Sequence, residues 1–199
     1  MSHFSNQAAL YCEALGYSSR LRSAIRAASQ ALVVRGDRVV GVDKAGGGGQ
    51  GLGMRVRAID DEGLRLVEEW LADDPVGSAV FGGFYGRAVE RWAPLLSAEG
   101  RWGWITFDDL GPIGFIDLEI FDAEAEISYY VRPARRGTGL GRPTIEHVIQ
   151  LASEHGARFI HAAVDPTNLP CLAVLRAATF TESGPNEYGE TDFELTIDA

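Results

Sequence analysis

The rhythm of apolar and polar positions changes several times along this chain of 199 residues. Residues 6–32 space Ala, Leu and Arg so that one helical face is apolar, which predicts a helix. "ALVVRGDRVVGV" then reads as two short strands around Gly36–Asp37. "KAGGGGQGLG" (Lys44–Gly53) interrupts the pattern: six of its ten residues are glycine, as in a flexible linker. From Met54 the order is clearer. "MRVRAI" alternates like a strand. Asp60 or Asp61 is placed to cap a helix over 62–72, with Leu64, Val67 and Leu71 at helical spacing. "GSAVFGGFYGRAVERWAPLLS" is mixed, with a second helix expected around 84–97. "RWGWITFDD" and "GPIGFIDLEIF" read as strands joined by a turn at Asp108–Gly111, and "EAEISYYVRP" as a strand ended by Pro133. A helix over 139–155, the strand "ARFIHAAVD", a short helix in "NLPCLAVLRAA" and the strand "TDFELTID" complete the chain. Helices alternating with a largely meandering sheet make the class mixed α and β. The domain division expected is an N-terminal extension over 1–53, linker included, and one domain over 54–199.

Composition narrows the field. With 46% hydrophobic residues the chain can bury a core, and no apolar run approaches the ~18 residues a membrane span needs. The start of the chain lacks the basic-then-apolar order of a secretory signal. Cys12 and Cys171 are the only cysteines, too few for a disulfide framework, so the reducing cytoplasm is the expected location. No group of Cys, His and carboxylates has metal-ligand spacing, and no metal is expected. The net charge of −10 is uneven: residues 1–53 carry six basic and three acidic side chains, leaving the rest strongly acidic. An acidic body repels nucleic-acid phosphate and suits cationic small molecules or basic peptides, and neither nucleic acid nor membrane is an expected partner.

One short stretch carries chemistry. "RRGTGLGRP" (Arg135–Pro143) follows a strand and opens a helix. A helix N-terminus leaves backbone N–H groups unpaired and bears partial positive charge, which suits phosphate. Glycine lets the backbone approach an anion, and Pro143 falls in the first turn, where its missing N–H costs nothing. A Walker loop is excluded because Gly141 is followed by Arg142-Pro143 instead of Lys-Ser/Thr. A dinucleotide fingerprint is excluded because Gly137, Gly139 and Gly141 give G-x-G-x-G. Taken by themselves, these residues leave a ligand-free glycine turn as the alternative.

Arg136-x-x-Gly139-x-Gly141 resembles the acetyl-coenzyme A loop of the GNAT acetyltransferase superfamily, R/Q-x-x-G-x-G/A. "AEISYYVRPARRGTGLGRPTIEHVIQLA" is similar to that superfamily's fourth strand, loop and third helix, and "VDPTNLPCLAVLRAATF" to its fifth strand and following helix. The resemblance runs from about Met54 to the C-terminus and is strongest over 124–180. It implies a mixed, mostly antiparallel sheet of six to seven strands, with helices on both faces and a splay between the fourth and fifth strands. It further implies acetyl-CoA as co-substrate. Its diphosphate would rest on the amides of Arg136, Gly137, Thr138, Gly139, Leu140, Gly141 and Arg142, and its pantetheine arm along the backbone of Tyr129 to Val131. Asn168 matches a position that contacts the cofactor near the end of that arm. The implied reaction is acetylation of a primary amine, either of a small cationic molecule (aminoglycoside-like or polyamine) or of a protein N-terminus. A non-catalytic acyl-CoA-binding sensor is the alternative, and homodimerisation stays open. Glu126 resembles a glutamate that serves as general base in some members.

Two positions depart from the family. Leu175 stands where many members carry a tyrosine that protonates the leaving thiolate; either a water, Cys171 or a nearby tyrosine substitutes, or the thiolate, with a free pKa of ~8.5, leaves without dedicated help. Thr179 replaces the usual glycine and predicts a different exit from the helix. Other residues have plainer expectations. Asp117 and Glu119 alternate with Ile116, Leu118 and Ile120, point off the buried face, and are expected to meet solvent rather than line an acceptor pocket. Asp165 reads as a turn residue before Pro166. Trp70 and Trp92 are expected in the core, His161 packed in its strand, and His147 and His155 at the surface or as caps.

Overall fold

A computed structural model describes residues 53–197. The helix expected over 6–32, the strands after it and most of the glycine linker lie outside the described residues. Seven strands form one sheet: β1 (Arg55–Ala58), β2 (Arg101–Asp108), β3 (Gly111–Phe121), β4 (Glu124–Val131), β5 (Phe159–Val164), β6 (Thr181–Pro185) and β7 (Thr191–Thr196). Their order across the sheet is β1-β2-β3-β4-β5-β7-β6, and every neighbouring pair is antiparallel except β4 with β5. The short β6, with its breakers Gly184 and Pro185, has no alternating pattern and escapes the sequence reading.

Five helices accompany the sheet: α1 (Asp61–Ala72), α2 (Pro75–Phe81), α3 (Ala88–Arg91), α4 (Gly141–Glu154) and α5 (Leu169–Ala177). Asp60 caps α1 by accepting a 2.8 Å bond from the Gly63 amide, and Asp61 and Glu62 in the first turn complement the helix dipole. The helix expected over 84–97 is not there as one element. The chain instead makes α2, a 3-10 turn at Tyr85–Arg87, the four-residue α3, and turns. Pro75 favours a helix start at α2, while Gly82, Gly83, Gly86 and Pro94 interrupt the helical run beyond it.

Alternation along each strand gives the sheet two faces. On one, Trp104, Ile116, Leu118, Ala125, Ile160 and Phe193 pack with Ile145 and Val148 of α4 and Leu172 and Leu175 of α5. On the other, Phe115 and Tyr130 stack with ring centroids 5.4 Å apart, and Phe81, Tyr85 and Trp92 close over Phe115. Trp92 is fully buried, as expected; Trp70 is only half-buried. Because both faces are covered at β2 and β3, Asp117 does not meet solvent as expected. It is 4% exposed and receives Arg101 Nε at 3.2 Å, Arg101 Nη2 at 2.5 Å and the Tyr85 hydroxyl at 2.6 Å. The third Arg101 nitrogen, Nη1, lies 3.0 Å from Glu119, itself only partly exposed.

The exit from α5 corrects another expectation. Thr179 has φ +64°, the left-handed geometry glycine favours. The Phe180 amide bonds the Leu175 carbonyl at 3.1 Å and the Thr179 amide the Arg176 carbonyl at 3.3 Å, the paired bonds of a Schellman cap. Phe180 and Leu175 are both buried in the same cluster. That apolar contact and the two bonds hold a β-branched residue where it is otherwise disfavoured.

Candidate active site

Between β4 and α4 the chain makes a 3-10 turn (Pro133–Arg135), then the glycine stretch. The Arg136 amide donates back to Pro133 at 3.1 Å and the Thr138 hydroxyl to Arg135 at 2.8 Å, which fixes the turn. Gly137 and Gly139 take φ of +72° and +82°, and a Cβ at either would meet nothing within 4 Å, so the loop is open on that side. Gly141 differs: a Cβ there would come within 2.9 Å of Val174, so its job is close packing of α4 on α5. The first bond of α4 runs from Thr144 to the Leu140 carbonyl at 3.0 Å. Among the described residues no acceptor takes the amides of Gly137 through Arg142. Six consecutive amides at the mouth of a 14-residue helix fit a diphosphate.

The side chains around these amides do other work. Leu140 is buried against Met54 and Ile113. Arg135 is paired with Asp108, Arg142 with Glu146 at 2.8 Å, and Arg136 with the buried Asp74. Arg136 also donates through Nε to the Val131 carbonyl at 2.8 Å and lies over the Tyr130 ring. It therefore ties the loop to the end of β4 and the start of α2. Burial would raise the Asp74 carboxyl, but bonds from Arg136, the Gly77 amide and Tyr130 outweigh it and hold it below the usual range. Each of these arginines thus faces a carboxylate, whereas the loop amides face no acceptor among the described residues.

The sheet opens just behind the loop. β4 and β5 pair only through Glu124–Phe159, Ala125–Ile160 and Glu126–His161, whereas β5 continues along β7 as far as Val164. Ile127 to Val131 thus leave the neighbouring strand, with Tyr129 and Val131 on the lip where the sequence places them. A strand edge with unpaired backbone groups accepts an extended, amide-bearing arm.

Glu126 sits at the last paired position before the strands part. Register puts it in a row with residues far apart in sequence: Arg101, Glu119, Glu126, His161, Glu194 and Thr181 lie directly opposite one another across six strands. A two-residue turn at Asp122–Ala123, both with positive φ, sets the β3–β4 register and so places Glu119 across from Glu126. Facing glutamates destabilise a strand pair. His161 lies 3.4 Å from Glu124 and 3.6 Å from Glu194, so this packed histidine stands among carboxylates rather than in an apolar setting. Nothing in the sequence marked His161 or Glu194 as neighbours of Glu126, because only the parallel register joins them.

The remaining candidates are on or near α5. Asn168 caps that helix, accepting from the Cys171 amide at 3.3 Å. Asp165 accepts from the Thr167 amide and hydroxyl at 2.7 and 2.6 Å, the turn expected of it. Leu175 is fully buried. His147 bonds the Pro143 carbonyl, and His155 ends α4 stacked on Trp102.

Fold and loop together define a domain with a helix mouth of unpaired amides beside a split sheet. The sequence model of the acetyltransferase (GNAT) family matches residues 64–180, more than half of the chain, and the chain belongs to that family. It is thus an acetyl-CoA-dependent N-acetyltransferase by class. Solved structures agree on the fold. The spermidine N-acetyltransferase of Vibrio cholerae, in complex with CoA and spermine, is 16% identical over 72% of this chain and 94% of its own, with a TM-score of 0.61. The GNAT domain of S. lividans PAT is 22% identical over 72% and 90%, at 0.60. The Campylobacter jejuni N-acetyltransferase PseH, in complex with acetyl coenzyme A, is 17% identical over 73% and 99%, at 0.57. No curated protein sequence matches.

Proposed function

We propose that the enzyme moves the acetyl group of acetyl-CoA to a primary amine of a small cationic molecule of polyamine or aminoglycoside type. The observation that carries this reading is the position of Glu126, at the last paired residue before the strands part and within a row of carboxylates. In this reading the amides of Gly137 to Arg142 hold the diphosphate, and the Tyr129–Val131 edge guides the arm. Asn168 closes the far side. An alkyl ammonium has a pKa near ~10 and attacks only after losing a proton. Glu126 accepts that proton, directly or through water. Glu124 and Glu194 supply the negative field that draws in a cation and holds its other charges. A backbone amide on the β4 edge stabilises the oxyanion. The spermine bound by a structural neighbour is an acceptor of this charge type. A protein N-terminus, with a single amine, uses less of the row. The reading treats 54–199 as the catalytic domain and 1–53 as an extension.

Free-thiol release from acetyl-CoA, measured with a panel of polyamines, aminoglycosides and N-terminal peptides, tests it. Turnover should rise with the number of acceptor charges and fall with added salt. Turnover with peptides alone would move the acceptor to a protein N-terminus; tight acetyl-CoA binding with no thiol from any amine would leave a sensor.

A further inference from the structure

Glu126 serves the amine in the proposed reaction, but the sulfur needs a partner too. Leu175 has no hydrogen to donate and is fully buried in the core. A phenol nevertheless stands at the gap. Tyr129, on β4, places its hydroxyl oxygen 3.2 Å from the Cys171 sulfur in the first turn of α5. The α5 helix comes after β5, so this contact reaches from one lip of the split sheet to the element beyond the other. Both side chains are partly buried against the apolar cluster on the α4–α5 face, away from the carboxylate row. The distances suit a thioester arm. From the loop amides, an arm returning along β4 from Val131 to Ile127 covers four residues, about 13 Å at ~3.3 Å each. That course passes Tyr129 and ends one residue short of Glu126.

We propose that the Tyr129 hydroxyl receives the leaving sulfur, doing from the strand what Leu175 cannot do from the helix. This rests on the acetyl-transfer reading above. The amine nitrogen forms its bond to the carbonyl carbon, and its surplus proton passes to Glu126 and then to water. The carbon–sulfur bond breaks and sulfur keeps the electron pair. Tyr129 turns its O–H from Cys171 to the new thiolate and stabilises it by a charge-assisted hydrogen bond. Burial raises the Tyr129 phenol above its ordinary value, so the proton stays on oxygen and the thiolate takes its own from water on release. Burial likewise raises Cys171, keeping it a neutral thiol that does not compete as a nucleophile.

Tyr129→Phe removes only the hydroxyl. A hydrogen bond to a charged group has a strength that predicts kcat lowered about ten- to a hundredfold, with KM for acetyl-CoA and the melting temperature little changed. A second readout needs no acceptor. The ultraviolet thiolate absorbance of the CoA complex, referenced to desulfo-CoA, should titrate about one to two units higher in Tyr129→Phe than in the wild type. Wild-type turnover with kcat and thiol midpoint both unchanged in Tyr129→Phe overturns the proposal and leaves the acetyl-transfer reading standing. Failure of the wild-type protein to bind CoA overturns both.

Discussion

The glycine loop and the carboxylate row sit on neighbouring parts of one sheet and work by opposite means. The loop presents backbone: Gly137 and Gly139 contribute no side chain, Leu140 turns inward, and Arg135, Arg136 and Arg142 face carboxylates. The row presents side chains: Arg101, Glu119, Glu126, His161 and Glu194 come from five strands and meet through register alone. In the proposed reading a group common to many reactions, a diphosphate, would be bound through atoms every residue has. A particular acceptor would be recognised through atoms that differ from one protein to the next. The loop should therefore tolerate loss of charge but not loss of glycine, and the row should show the reverse sensitivity.

The largest effect is expected on the row. Glu126→Gln should lower kcat about 10²- to 10⁴-fold, the usual contribution of a general base, with acetyl-CoA affinity unchanged by calorimetry. A kcat within threefold of wild type would remove Glu126 from the chemistry. At the β2 end of the row, Arg101→Met leaves Asp117 buried without its bidentate partner and should cost about 3–5 kcal/mol in chemical denaturation. The double change Arg101→Met with Asp117→Leu should recover part of it, since no charge stays buried at 117, while Glu119 loses its arginine and the buried Tyr85 hydroxyl its acceptor.

On the loop, Gly139→Val forces a β-branched residue to φ +82°. With strain of about 1–3 kcal/mol, acetyl-CoA binding should weaken about 5- to 150-fold while kcat at saturation holds. Arg136→Gln tests the comparison directly: if the backbone carries the affinity, the loss should stay below about tenfold, and a loss as deep as that of Gly139→Val would put charge back into the loop. The smallest effect lies outside both regions. Thr179→Gly should stabilise the fold by about 1 kcal/mol by relieving the left-handed cap, seen as a raised denaturation midpoint with kinetics unchanged.

Legibility in the sequence tracked the range of the interactions. The strands β1 to β5 and β7, a cap at Asp60 or Asp61 and the helices α1, α4 and α5 were readable because alternation, helical spacing and capping act within a few residues. The segment 84–97 misled. Its apolar residues suggested one helix, but Gly86 and Pro94 divide it, and Tyr85 and Trp92, with Phe81 just ahead, are spaced to cover Phe115. Asp117 misled as well, because alternation says which residues share a face and not whether a second layer covers that face. Thr179 shows packing overriding preference: the Phe180–Leu175 contact holds a conformation that threonine alone resists.

The sequence alone determined the mixed α/β class, the helix mouth and the glycines that open it, because a phosphate-binding loop is a local device written in consecutive residues. Only the tertiary structure decided that Glu126 stands where β4 and β5 part, that His161 and Glu194 share its row, and that Tyr129 reaches Cys171 across the gap. Each of these depends on strand register and splay, which arise when distant segments pair and are encoded by no single stretch of the chain.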